Sequence, residues 1–146
     1  MATFSRTATV NWQGTITEGK GEVVAGTGAF TLPVTFASRI AEPAGKTSPE
    51  ELIASAHASC YAMALNATLG RKNAKAKATT IVATVTADKG EAGIKIVSSK
   101  LTVSATGLEG MDAAQFAETA KEAEARCPVS NALRNNLQID VEAHVL

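Results

Sequence analysis

The chemistry available to this chain centres on two thiols. Cys60 and Cys127 are the only cysteines among 146 residues. A cysteine attacks as its thiolate, and a second thiol can capture the oxidised first one as a disulfide. Cys60 lies inside a run with helical spacing, on an apolar face. Taken alone, that is the setting of a buried cysteine acting as a small hydrophobe. Cys127 precedes Pro128 and therefore stands at a helix start, where free N–H groups and the helix dipole favour a thiolate. One thiol in a core and one at a helix end make a plausible attacking and resolving pair. His57 and His144 bring the potential zinc ligands to four. His57 and Cys60 are three apart on a helix and could face one ion. Cys127 and His144 lack local ligand spacing, and His144 is out of phase with the apolar residues of its strand, so the pattern does not favour a metal. His57 reads as a hydrogen-bonded helix residue rather than as a group that tunes Cys60.

The elements that must position these residues begin as strands. Thr7–Trp12 alternates apolar and polar residues. Gly14–Glu18 is a second candidate strand, Gly19–Gly21 a turn, and Glu22–Ala25 a third short strand. Phe30, Leu32, Val34 and Phe36 alternate around Pro33, which cannot donate to a ladder, so this run is an edge or irregular strand. Glu42–Lys46 reads as a loop. A long helix then starts at Pro49, with Ser48 as N-cap and Glu51 completing a capping box, and ends near Leu69 with Gly70 as its cap. Ile53, Ala56, Cys60, Met63 and Ala67 fall on one face. Its remaining apolar residues are mostly alanines, so it is expected to be central and closely packed against a partner helix. Thr79–Asp88 and Ile94–Ala105 read as a hairpin, with a bulge where the apolar phase slips between Ile96 and Leu101. Met111–Arg126 is a second helix with Ala113, Phe116, Ala120 and Ala123 inward. Pro128 opens a short third helix ending near Asn135, and Gln138–Leu146 is a last strand. Clustered strands and helices give an α+β class, here as a single domain over 1–146.

Composition narrows the partners. Net charge is zero, and the nearest approach to a basic run is the short Arg71–Lys77 cluster, read as solvated surface, so nucleic-acid binding through counterion release is not expected. No stretch reaches the roughly 20 apolar residues of a membrane helix. Met1–Arg6 carries no apolar signal region, so the expected location is cytoplasmic. In that reducing compartment two cysteines are more in keeping with catalysis or redox sensing than with a structural staple. Charged residues make up only 19 % of the chain and apolar ones 45 %, which suggests a surface partly covered by another subunit.

Thr47-Ser48-Pro49-Glu50-Glu51-Leu52-Ile53-Ala54-Ser55-Ala56-His57-Ala58-Ser59-Cys60-Tyr61-Ala62-Met63-Ala64-Leu65 resembles the signature helix of the osmotically inducible protein C (OsmC) and organic hydroperoxide resistance family. Ala125-Arg126-Cys127-Pro128-Val129-Ser130 resembles its second-cysteine motif, and Trp12-Gln13-Gly14 its opening strands. The resemblance implies an intertwined homodimer whose sheets wrap two long central helices, with active sites at the subunit interface. It implies a cysteine peroxidase without metal or cofactor, acting on organic hydroperoxides or hydrogen peroxide and recharged by an external dithiol of lipoyl type. Cys60 matches the peroxidatic cysteine, Cys127 the resolving one, and Glu50 the helix-start glutamate. Ser38-Arg39-Ile40 resembles the position of the active-site arginine in the OsmC branch; the other branch places it nearer the N-terminus, where this chain offers Arg6. His57-Ala58-Ser59-Cys60 also matches the OsmC branch. Glu50 precedes Cys60 by ten residues, about 15 Å along a helix, so it is expected to serve the partner chain's Cys60. Two further readings are a redox sensor whose disulfide modulates partner binding and a small-molecule binding module with inert cysteines.

Overall fold

Alternating β-branched and polar residues form strands, and the alanine-rich run after Ser48 forms one long helix, in a computed structural model that describes residues 1–146. The order is β1 (Ala8–Gln13), β2 (Lys20–Ala25), β3 (Thr31–Val34), α1 (Phe36–Ile40), α2 (Pro49–Arg71), β4 (Ala78–Gly90), β5 (Gly93–Thr106), α3 (Ala113–Arg126), α4 (Pro128–Leu133) and β6 (Gln138–Val145). The class is α+β, as expected. The backbone groups into two units, Met1–Leu52 and Ile53–Leu146. No helix is long and apolar enough to cross a membrane.

In the first unit β1, β2 and β3 form an antiparallel sheet in that order. Trp12 pairs with Gly21 across the ladder, and a Cβ on Gly21 would come within 2.7 Å of the indole. The indole Nε1 donates to Gly14 O at 3.1 Å. The glycines expected to form a turn at 19–21 therefore make room for Trp12 at the start of β2. The expected strand Gly14–Glu18 is instead the connecting turn, closed by Gly19 N donating to Thr15 O at 2.8 Å and Glu18 N to Thr15 Oγ1 at 3.2 Å. β3 is an edge strand, consistent with Pro33, but it stops at Val34 rather than continuing to Phe36. Thr35 and Ser38 form a reciprocal capping box, each backbone N–H donating to the other's hydroxyl at 3.0 Å, and this starts α1. The Ser38 hydroxyl also bonds Thr47 O at 2.9 Å, which fixes α1 to the residues just before α2.

α2 begins as the capping signal indicates, with Glu51 N donating to Ser48 Oγ at 3.2 Å. It does not end at Gly70. It continues to Arg71, and Asn73 takes the left-handed position at φ 55°. Ala74 N bonds Leu69 O at 2.9 Å and Asn73 N bonds Gly70 O at 3.1 Å, the paired bonds of a Schellman cap. The face that packs within the chain also differs from the expected one. His57, Tyr61, Leu65, Thr68 and Leu69 are buried, whereas Met63 is 74 % exposed and Ala56 and Ala67 are exposed. The helix is apolar on both sides, so a three-and-four stripe can be drawn on either; the bulky side chains determine which one meets the core.

In the second unit β4 and β5 pair antiparallel, and β6 adds parallel to β5. The expected bulge is present: Thr86 pairs with Ser98 and Ala87 with Ile96, which leaves Val97 without a partner. α3 opens at an Asp112–Gln115 capping box and buries Phe116, Thr119, Ala120 and Ala123. Ala113, expected inward, is exposed. Tyr61, Leu65 and Leu69 of α2 meet Leu101, Val103 and Ala105 of β5 and Phe116, Ala123 and Cys127 in one cluster. The Tyr61 hydroxyl donates to Ala120 O at 2.7 Å, which joins α2 to α3 inside that apolar core.

Candidate active site

Pro128 cannot continue α3, and the chain turns there so that Cys127 both ends α3 and caps α4. Its thiol is fully buried, and its Sγ accepts from Ser130 N at 3.5 Å. Cys60, on α2, is half-buried, packs against the cluster that contains Cys127, and neighbours its thiol. Both cysteines are free thiols. Burial pushes the Cys60 thiol above its ordinary pKa; a hydrogen bond from the Val129 backbone acts in the opposite direction, and the neighbouring Cys127 adds to the rise. The first turn of α4 thus supplies an N–H to each sulfur, from Val129 to Cys60 and from Ser130 to Cys127. The Val129 N–H does not offset the desolvation of Cys60; a positive charge beside the sulfur would favour its thiolate.

The arginine and glutamate form a separate arrangement in the first unit. Arg39, in the last turn of α1, grips Glu50 in the first turn of α2: Nη2 donates to Oε1 at 2.7 Å, and Nε donates to Oε1 at 3.0 Å and to Oε2 at 3.2 Å. The side chains are 29 % and 13 % exposed, so the pair is partly shielded from water, and the two-pronged contact sets the direction of the guanidinium. Arg6 has no such partner. It bonds only Ser5 O at 2.7 Å, lies 5.6 Å from the Phe4 ring centre, and is exposed. Glu51, read as the cap residue, accepts from the Thr47 hydroxyl at 2.6 Å.

His57 is fully buried, with Nδ1 sharing a hydrogen bond with Ser99 Oγ at 2.6 Å and Nε2 one with Ser130 Oγ at 2.7 Å. This agrees with the hydrogen-bonded reading of His57. Burial lowers its pKa, opposed by the charge of Glu124. His144 is exposed on β6 and pairs with Glu142 at 2.8 Å. No group of three or more His, Cys, Asp or Glu side chains converges as a metal site would require. Val129 and Ser130 lie in the second-cysteine motif, but their contacts with the sulfurs and His57 carry no local sequence signal beyond the place of Ser130 three residues past Cys127, and nothing in the sequence points to Ser99.

Comparison with known proteins gives a consistent picture. Residues 42–142 match the model of the family described as OsmC-like protein. The chain is 35 % identical over 141 residues to peroxiredoxin OsmC of Escherichia coli K12, covering 96 % of this chain and 97 % of that one. Among solved structures, the organic hydroperoxide resistance protein OhrB of Bacillus subtilis superposes with a TM-score of 0.70 at 26 % identity, over 94 % of this chain and 97 % of that one. An organic hydroperoxide resistance protein OsmC from Legionella pneumophila shares the fold at a TM-score of 0.72 and 22 % identity, over 99 % and 98 %.

Proposed function

This chain belongs to the OsmC-like protein family, and from that premise we propose that it is a thiol-dependent peroxidase of one catalytic domain, acting on organic hydroperoxides, hydrogen peroxide or both. The observation that carries this reading is the meeting of its two thiols, Cys60 on α2 and Cys127 at the cap of α4. The Cys60 thiolate attacks the terminal peroxide oxygen. The O–O bond breaks, the sulfur becomes a sulfenic acid, and the other oxygen leaves as alcohol or water after taking a proton. The Cys127 thiolate then displaces hydroxide from that sulfur; with a proton it leaves as water, and a disulfide remains. A cytoplasmic dithiol, of lipoyl type or similar, reduces the disulfide by exchange and leaves oxidised. No metal or bound cofactor enters the cycle.

The charge that Cys60 needs comes, in this proposal, from Arg39. Glu50 orients the guanidinium, and a homodimer brings the pair to the partner's thiol. Arg39→Ala is expected to raise the Cys60 pKa further, so that less thiolate is present at neutral pH and peroxide attack slows; Arg6→Ala should leave both unchanged. Thiolate absorbance against pH measures this, and a shift in Arg6→Ala alone would transfer the role to Arg6.

Cys127→Ser should leave the first oxidation intact and abolish the second. With one equivalent of peroxide, intact-mass spectrometry should show wild type losing two hydrogens and the variant gaining one oxygen. Only intermolecular disulfides in wild type would overturn the resolving role. The reading as a whole is tested by steady-state consumption of hydrogen, tert-butyl and cumene hydroperoxides with dihydrolipoamide as donor. Consumption that stops at one equivalent would make the chain a redox sensor rather than an enzyme.

A further inference from the structure

The peroxidase cycle assigns no work to His57, yet its ring is buried between two serine hydroxyls in the same unit that holds both thiols. Its placement is symmetric about the reacting pair. His57 stands three residues before Cys60, one turn away on α2, and Ser130 stands three residues after Cys127, in the first turn of α4. The bond between Nε2 and Ser130 Oγ therefore joins the two helices one turn from the point where the sulfurs meet. At its other nitrogen the ring is held by Ser99, a fully buried residue of β5. Ser130 carries the N–H that caps Cys127 Sγ, and its neighbour Val129 carries the N–H that reaches Cys60.

We propose that His57 is the positioning residue of the disulfide-forming step: through Ser130 it holds the first turn of α4 against α2 in the register at which Cys127 meets Cys60. Resting on the peroxidase reading, this deepens it by separating what the two half-reactions require. Attack on a small peroxide needs an accessible thiolate at Cys60. Disulfide formation needs two side chains on different elements aligned within a fraction of an ångström, and misplacement of about 1 Å can cost as much as a hundredfold.

The two ring nitrogens allow a specific test. Glutamine places its amide nitrogen near the position of Nε2, and asparagine near that of Nδ1. His57→Gln retains the bond to Ser130; His57→Asn retains the bond to Ser99 and releases Ser130. Ser130→Ala breaks the same tie from the other side while keeping the backbone N–H on Cys127. Peroxide attack and disulfide formation are followed separately, by loss of free Cys60 thiolate and by decay of a sulfenic acid trapped with a dione. His57→Asn and Ser130→Ala should slow disulfide formation by about tenfold or more, while attack changes by less than about threefold. His57→Gln should stay close to wild type in both. Sulfinic acid should accumulate in the two slow variants, because the sulfenic acid survives to meet a second peroxide. Equal slowing of both steps would mean a merely structural role, and disulfide formation at the wild-type rate in Ser130→Ala would mean no role; either result overturns the inference. If His57→Asn fails to fold, Ser130→Ala decides it alone. Absence of both sulfenic acid and disulfide in wild type after peroxide would instead remove the peroxidase reading, and this inference with it.

Discussion

Peroxidase turnover should fall by at least about a hundredfold in Cys60→Ser. Serine keeps nearly the volume and the rotamers of cysteine, so the cluster around Tyr61 and Leu65 should be undisturbed and the variant should melt close to wild type. What is lost is ionisability. Burial already pushes the Cys60 thiol up, against a single N–H from Val129; a hydroxyl in that position has no access to its anion at neutral pH, and oxygen is a poor nucleophile toward peroxide oxygen. Cys127 does not substitute, because its thiol is fully buried and its sulfur is engaged as the cap of α4. The measurement is steady-state turnover with a dithiol donor, read beside a melting curve. Retention of more than a tenth of wild-type turnover in a folded variant would end the assignment of Cys60 as nucleophile.

The parts of this arrangement that were legible in the sequence are those set by near neighbours. Ser48 and Pro49 announced the start of α2 because a cap needs only the residues within one turn. Cys127-Pro128 announced the α3–α4 turn for the same reason. Where a residue's role depends on a distant partner, its near neighbours point elsewhere. Gly19 and Gly21 looked like a turn, but their smallness accommodates the indole of Trp12 across the ladder. Thr35 and Ser38 formed a capping box that the alternation through Phe36 concealed. On α2 the stripe through Met63 was as regular as the one through Tyr61, and only the partners on β5 and α3 separate them. The sequence marks His57 as a hydrogen-bonded helix residue, but its partners lie 42 and 73 residues away, beyond the reach of any spacing rule.

Glu50→Ala should lower turnover by about tenfold or more, because a guanidinium released from its two-pronged carboxylate no longer points at a fixed place. The more telling expectation concerns which protomer the pair serves. Arg39 and Glu50 grip each other within one chain. Glu50 and Cys60 share α2, ten residues apart, which is a rise of about 15 Å and a turn of about 80° around the axis. A glutamate side chain does not span that rise. If two such helices run antiparallel across a two-fold axis, the helix start of one approaches the middle of the other, and Glu50 with its arginine reaches the partner's Cys60. Co-expression of Cys60→Ser and Glu50→Ala chains under different tags gives a mixed dimer that separates the cases. Acting in trans, one site unites an intact Cys60 with an intact Glu50 and the other carries both lesions, so about half of wild-type turnover returns, as one sound site in two requires. Acting in cis, each site carries one lesion and the mixed dimer is as impaired as its parents. Full activity in the Glu50→Ala homodimer would remove Glu50 from the mechanism before any mixing.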